Sequence, residues 1–593
     1  MFRRIYEEKM RERQEKLVPY LQALPGILQY QVFTKILIGL WLFLMGRLFR
    51  LLLNSMGRVA VSTGDFGFLF THWQGILIVL CAVVSLYGYV ALDLNAKIIL
   101  SRELLSGERI SAWNILKRAL PTIRRFICIQ GLGVILYIAL IAPILGIGVS
   151  LTMTKGLYIP TFISSVIADT PLYLAAVSFA VLVLLSLGVA NLFILHGVVL
   201  EGLPVNEAGS QSRRLIRENW KDYLKQNVLF LLVIALLLVA VVVVVLVLPL
   251  ALIQILPLSA GVRRALTVFF VTSGVLLSLL ADLFATPLYL MKMTQMYYLY
   301  RQEQIPFHKR EKRNHLLTVL GVVFWLLATA AASALMTRQF DVMFPRDSEV
   351  RIIAHRAGGT EGAENTVAGL EKAWEIGAYG SEIDIQRTKD GYYVLNHDSN
   401  FQRVAGEKRK PEEMTLEEIK ALSVDGEPVA TLEEALMASK GNGILFVELK
   451  GETADQQMAD DAVKTVKEYG MEQECVLISL KYELIDYIER TYPEIQTGYL
   501  TFASFGDTAK LNCDYLALEE ESATADAISA VHKQGKKVLV WTANEKNSQK
   551  HFLCSMADAI ITDQITQAAQ LREELSERSD LQRMTDRIKE ILS

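Results

Sequence analysis

Hydrophobic positions follow two different rhythms along this chain. Between residues 30 and 336 apolar residues come in long, nearly uncharged runs. From about residue 345 they alternate with polar and charged ones. A helix that crosses a bilayer needs about 20 mostly apolar residues. Seven stretches meet that length, near 34–54, 74–94, 126–152, 172–199, 228–256, 265–290 and 315–336. The fifth, VLFLLVIALLLVAVVVVVLVLPLALIQIL, carries no charge at all, whereas Arg47 and Arg50 interrupt the first. A buried soluble helical core does not repeat uncharged runs of this length, so the pattern predicts a polytopic all-α membrane domain of about seven helices.

After the segment TRQFDVMFPRDSEV the pattern becomes strand, loop, helix, repeated. RIIA, SEIDIQ, GILFVELK, CVLISL, IQTGYL, CDYLALEE, KVLVWTAN and DAIITD read as strands. ENTVAGLEKAWEIGA and ADQQMADDAVKTVKEYG read as amphipathic helices. ATLEEALMASK opens on a Thr-x-x-Glu capping box. Such βα alternation over about 220 residues predicts a (β/α)8 barrel of the TIM type. An open doubly wound sheet is the alternative, weakened because no GxGxxG follows the first strand. The resulting division is a charged segment 1–31, a membrane domain 32–336, a linker 337–348, a barrel 349–570 and a helical tail 571–593.

Charge adds an orientation. Loops 1–31, 95–125, 200–226 and 292–314 hold six, seven, five and six Lys or Arg. The loops between them hold only Arg58, only Lys155, and the pair Arg263 and Arg264. By the positive-inside rule the N terminus is cytoplasmic and the barrel extracellular in a multi-pass cell-membrane protein. No short apolar core with a small-residue cleavage site follows the N-terminal segment, so no cleaved signal peptide is expected. A net charge of −3 argues against nucleic acid as a bulk electrostatic partner. The five cysteines form no CxxC pair, which removes a zinc ribbon or a disulfide framework. Two basic, Trp-bearing loops, ISAWNILKRALPTIRRF and SRRLIRENWKDYLKQN, suit the anionic cytoplasmic leaflet. Asp282, Asn191 and His196 fall within or near spans, where a polar group is a functional hypothesis or a helix–helix hydrogen bond.

The chemistry gathers where a barrel has its mouth, at the C-terminal ends of the strands. The first strand runs into His355-Arg356, the second ends with Glu382 and Asp384, and GILFVELK ends with Glu448 and Lys450. KVLVWTAN ends with Trp541, Thr542 and Asn544, and the last strand with Asp563. Spacing of two puts Glu382 and Asp384 on one strand face. With Glu448 they offer three oxygen ligands suited to a hard divalent cation, Ca²⁺ or Mg²⁺. Asp390-Gly391 reads as a hairpin turn that brings His397 back beside these acids. Two histidines on different loops, His355 and His397, can divide the work of removing and supplying a proton. Arg356 offers a fork for phosphate and Lys450 a point charge.

AHRAGG…ENT, EIDIQRTKDGYYVLNHD, VELK, VWTAN and AIITD, in this order over 349–570, resemble the glycerophosphodiester phosphodiesterase family. The preceding half resembles the multi-span membrane domain attached to some bacterial members. The resemblance implies a TIM-type barrel that hydrolyses glycerophosphodiesters to sn-glycerol 3-phosphate and an alcohol with a divalent cation. It implies that His355 and His397 are the acid–base pair, and that Glu382, Asp384 and Glu448 are metal ligands. It further implies that Arg356 and Lys450 contact phosphate, and that Trp541 lines the glycerol or head-group side. Ala357 stands where the family usually has glycine, and Ala363 where it has proline. Lysophospholipids and polyglycerol-phosphate wall polymers remain alternative substrates, and a non-enzymatic sensor or transport protein with a phosphodiester-binding barrel is the alternative class.

Overall fold

A computed structural model describes residues 2–62, 67–108, 111–144, 167–168, 170–305, 315–344, 348–502 and 504–592. It divides into two units, one of Met1–Leu48 with Leu77–Arg338, the other of Phe49–Ile76 with Gln339–Ser593.

In the first unit the apolar runs are helices, which satisfy every backbone group within one segment. They are α1 (Phe2–Ser55), α2 (Trp73–Ser106), α3 (Ala112–Ala119), α4 (Ile129–Ile144), α5 (Pro171–Ala190), α6 (Val205–Val242), α7 (Ala260–Tyr300) and α8 (His315–Arg338). Among the described residues, five helices are long and apolar enough to cross a membrane, or six if the pair Ala112–Phe126 and Ile129–Ile138, bent by 120°, counts as one span. Seven were expected. The expected third span, 126–152, runs beyond the described residues after 144, and several side chains at the start of the seventh also lie outside them.

Outward faces of these helices are apolar: α5 has no buried residue, and α6 buries none beyond Tyr223. The two basic Trp-bearing stretches lie on α3 and α6. Trp113 and Trp220 are exposed, with Lys117 and Lys221 over their rings at 5.5 and 5.7 Å. His196 is buried and its Nε2 lies 3.2 Å from Thr294 Oγ1 on α7, the helix–helix hydrogen bond of the two readings above. The Asn191 carboxamide is likewise held locally, by the Leu187 carbonyl and Arg213.

In the second unit eight parallel strands close on themselves. They are β1 (Arg351–Ala354), β2 (Gly380–Arg387), β3 (Ile444–Leu449), β4 (Cys475–Ser479), β5 (Gln496–Thr501), β6 (Tyr515–Glu519), β7 (Lys537–Trp541) and β8 (Ala559–Thr562). Each pairs with its sequence neighbour, and β8 pairs with β1 through Ala559↔Arg351 to Thr562↔Ala354. That last pairing excludes the open sheet and makes a barrel. Its interior is filled by Ile353, Phe446, Val476, Ile478, Leu539 and Ile561, so the barrel is a packed core rather than a channel. Larger apolar clusters lie between strands and outer helices. The Thr431–Glu434 capping box forms as the sequence suggests.

Two additions hold the ends of the barrel unit. Ala60–Ser62, from the segment between α1 and α2, pairs antiparallel with Ser504–Gly506 in the loop after β5. Gly506 sits at φ +107 with the Val59 carbonyl 2.7 Å from where a Cβ would be, so only glycine lets the two backbones meet there. At the other end, Arg583 on the helix Asp580–Leu592 is buried and pins the segment entering the barrel. Its guanidinium binds the Phe344 carbonyl and, at 2.8 Å, the Asp341 carboxylate.

Candidate active site

The site is assembled from β1, β2, β3 and β8, which are neighbours around the barrel. Glu382 and Asp384 share a face of β2, and the parallel register sets Asp384 directly opposite Glu448 on β3. All three carboxylates are buried, and one oxygen from each lies within 4.8 Å of the others. The hairpin expected at Asp390-Gly391 is present: β2 pairs antiparallel with Tyr393–Leu395, and Gly391 takes φ +90. The Asp390 carboxylate fixes the turn by accepting from the Thr388 hydroxyl at 2.7 Å and the Leu416 N–H at 3.0 Å. Gln386 then clamps the returning strand, donating to the carbonyls of Asn396 and Asp398 at 2.7 and 2.6 Å. His397, between them, is close enough to Asp384 for their charges to interact.

Three acids face one ammonium. Lys450 Nζ is 2.9 Å from Asp384 and 3.1 Å from Glu448. Burial is the largest influence on each carboxylate and works against its charge. Asp384 is nevertheless held well below the usual carboxylate range by Lys450, His397 and the Asn365 amide, which donates to it at 2.9 Å. Glu382 goes the other way: burial and the repulsion of Asp384 and Glu448 push it well above 4.5. Burial pushes Glu448 up to about 7, although Lys450 pulls it down. The cluster therefore has more negative charge than its protein neighbours neutralise. The donor set is all oxygen, and its spread suits a cation with ligands at about 2.3–2.6 Å on several sides. These residues fit a hard divalent ion.

Each histidine is aimed by its own carboxylate. His355 Nδ1 is 2.7 Å from Asp563 at the end of β8, and His355 Nε2 points inward, 4.0 Å from Glu382. His397 Nδ1 is 2.8 Å from Asp398. Burial lowers the pKa of His397, and the attraction of Asp384 only partly offsets this. Arg403 bonds both Asp398 and Glu364, and Glu364 also takes Arg356 at 3.1 Å, so one chain of ion pairs braces the rim. Arg356 Nε is buried without a hydrogen-bond partner, a donor available to an anion. The loop after β1 is tightly wound: Arg356, Ala357 and Asn365 have φ of 49, 75 and 53. That winding aims the Arg356 N–H at Glu382 Oε2, 2.9 Å away. Ala357, at the position the family gives to glycine, keeps the left-handed backbone and is fully buried.

The structure thus gathers Glu382, Asp384, Glu448, Lys450, His355, His397 and Arg356 at one side of the mouth. Trp541 stands at the end of β7, where its indole N–H donates 3.0 Å to the Ala517 carbonyl. It makes no hydrogen bond to the other seven. Sequence reasoning noted Asp563 and Asn544 only as polar strand ends and did not consider Asp398, Glu364, Asn365 or Arg403. Asn544 donates to Asp563 at 2.6 Å and so supports the carboxylate behind His355. Barrel closure was the available signal, because it makes the end of the eighth strand a neighbour of the end of the first.

Comparison with known proteins specifies the class to which this barrel belongs. Residues 20–332 match the membrane domain of glycerophosphoryl diester phosphodiesterase, and residues 355–567 match the glycerophosphoryl diester phosphodiesterase family. A glycerophosphodiester phosphodiesterase of Caldanaerobacter subterraneus subsp. tengcongensis is 27% identical over 231 residues, 36% of this chain and 93% of the relative. Glycerophosphodiester phosphodiesterase 1 of Bos taurus is 34% identical over 140 residues, 22% of this chain and 41% of that protein. Among solved structures, a glycerophosphodiester phosphodiesterase from Parabacteroides distasonis is 25% identical, with a TM-score of 0.36, and the match covers 39% of this chain and all of that one. A phosphodiesterase from Oleispira antarctica, solved in complex with the product sn-glycerol-3-phosphate, is 24% identical with a TM-score of 0.36 over 38% of this chain and 96% of that one. The chain belongs to the glycerophosphodiester phosphodiesterase family, in the form that carries an N-terminal membrane domain. It is a phosphoric diester hydrolase and a membrane protein.

Proposed function

We propose that the barrel hydrolyses glycerophosphodiesters to sn-glycerol 3-phosphate and an alcohol by paired histidine catalysis beside a divalent cation. The observation that carries this reading is the convergence of three under-neutralised carboxylates and two carboxylate-aimed histidines on one rim. Glu382, Asp384 and Glu448 would hold the ion. When bound, it supplies Lewis-acid polarisation and charge neutralisation for an anionic substrate. Arg356, with its unpartnered Nε, and Lys450 attract the phosphate oxygens. One histidine removes the proton of the glycerol 2-hydroxyl, whose oxygen attacks phosphorus and forms a five-membered cyclic phosphate. The other gives its proton to the departing alkoxide. The roles then reverse, and water opens the ring. Asp563 and Asp398 keep each ring's Nδ1 protonated, so that each Nε2 is the working nitrogen. Trp541, at the end of the strand beside β8, provides an apolar wall for the glycerol or the head group.

The domain limits proposed from sequence, 32–336 for the membrane part and 349–570 for the barrel, go with an orientation in which the basic loops are cytoplasmic and the barrel is outside the cell. Turnover of glycerophosphocholine and glycerophosphoethanolamine by the full chain, with EDTA and with Ca²⁺ or Mg²⁺ restored, tests the reaction. A 2-deoxy analogue tests the cyclic route: it should not turn over, and a normal rate would require direct attack by water instead.

A further inference from the structure

Within the first unit, α1, α2 and α7 enclose a polar pocket at the ends of their spans nearest the basic loops. It is lined by Gln31, Thr34, Lys35, Asp93, Lys97 and Asp282, among others. A buried ion pair forms its base: Lys97 Nζ is 2.6 Å from Asp93 Oδ2, one helical turn apart, with each side chain less than a tenth exposed. The walls are fixed. Gln31 Nε2 donates 2.8 Å to the Leu283 carbonyl across α1 and α7, and Tyr20 donates 2.9 Å to Gln295 on the same pair of helices. Thr34 returns its hydroxyl to its own helix at 2.9 Å. These bonds leave two charges over. Lys35 on α1 and Asp282 on α7 both line the pocket, both are exposed, and neither has an ion-pair or hydrogen-bond partner among the described residues.

A charge on a membrane span faces a partner, water or a ligand, because facing hydrocarbon is costly. Lys35 and Asp282 do not pair with each other. A simple anion would satisfy Lys35 and leave Asp282 bare, and a simple cation would do the reverse. A dipolar group that carries phosphate and ammonium a few bonds apart satisfies both. The enclosed part is too small for a phosphate, so a head group lies across the open mouth, against the exposed Lys35 and Asp282. The enclosed part measures about 20 Å³, room for a single water-sized group, within about 350 Å³ that includes the open mouth.

We infer that this pocket binds a zwitterionic phosphoethanolamine-type head group, with Lys35 on the phosphate and Asp282 on the amine. The same chemistry occurs in an intact aminophospholipid and in a water-soluble glycerophosphoethanolamine. This site is separate from the barrel site and does not depend on how that site works.

Native mass spectrometry of the full chain in detergent, offered equal phosphatidylethanolamine and phosphatidylglycerol, reads the preference directly. The wild type should retain the amine lipid, and Asp282→Asn or Lys35→Gln should each weaken that retention by about tenfold, the loss of one charged contact. The barrel's turnover of a soluble diester by the same preparations should be unchanged, which certifies that the variants are folded. Retention that glycerophosphoethanolamine competes away identifies the soluble compound as a ligand too, and retention that resists it assigns the site to the lipid. Equal retention of the two lipids, or retention indifferent to both substitutions, overturns the proposal. Exchange of the charges, Lys35→Asp with Asp282→Lys, covers variants that fail to fold. If the exchanged protein is as stable as wild type and binds the lipids alike, the two charges do not recognise the head group and the proposal fails.

Discussion

The two units bury charge in opposite ways. In the membrane unit Asp93 and Lys97 form a neutral pair, each the other's partner. In the barrel Glu382, Asp384 and Glu448 are buried against a single lysine. A balanced pair is satisfied by the fold that made it, so breaking it costs stability. An unbalanced cluster is strained by the fold, so removing one of its charges relieves the protein while destroying what the cluster is for. Burial alone therefore does not mark a site. The sign and surplus of what is buried does.

The largest effects fall on catalysis. His397→Ala or His355→Ala should lower turnover about a thousandfold while leaving the barrel folded, the usual weight of a positioned acid or base. Steady-state kinetics with a circular dichroism control reads both. Asp398→Asn should reduce turnover by a smaller factor than His397→Ala, because the imidazole remains but its Nδ1 proton is no longer held by a charge.

Stability sharpens the contrast. Asp93→Asn leaves Lys97 buried without its counter-charge and should cost about 3–5 kcal/mol, read as detergent-solubilised unfolding. Glu382→Gln should do the reverse in metal-free protein and raise the melting temperature of the barrel, because it removes a carboxylate that burial and its neighbours penalise. If both substitutions destabilised the protein equally, the contrast would be lost.

pH gives a subtler version of the same test. Glu448 is raised from 4.5 to about 7 by burial, so its neutral form favours the fold. That contribution is complete below 4.5 and is lost as pH rises from 4.5 through about 7. Metal-free protein should then melt higher at pH 5 than at pH 8 as far as this group is concerned, and saturating divalent cation should flatten or reverse the trend. The smallest effect concerns thiols. Burial pushes Cys475 and Cys513 up to about 12, so both should resist alkylation at pH 8 until the barrel unfolds.

Most of the barrel was legible because its information is local. Alternation marks strands, the Thr431 box marks a helix start, and Asp390-Gly391 marks the turn that carries His397 back. Two-residue spacing sets Glu382 beside Asp384. What escaped is non-local. The carboxylate behind His355 lies 208 residues along the chain, and only barrel closure makes it a neighbour. Ala60–Ser62 is too short to be seen as a strand, and its partner lies more than 400 residues away. Arg583 looks like one more surface arginine on an amphipathic helix until the Phe344 carbonyl appears beneath it. In the membrane unit hydropathy marks apolar length but not bends, so it gave no sign of the 120° turn between Phe126 and Ile129, at the start of the expected span 126–152.

The central claim is that the surplus of buried negative charge at the barrel mouth is a cation site required for phosphodiester hydrolysis. Turnover of glycerophosphocholine by the full chain, followed through EDTA treatment and titration with Ca²⁺ or Mg²⁺, tests it most directly. Activity should vanish with the chelator, return with a divalent ion, and fail to return in Glu448→Gln. Turnover that persists undiminished in EDTA would contradict it.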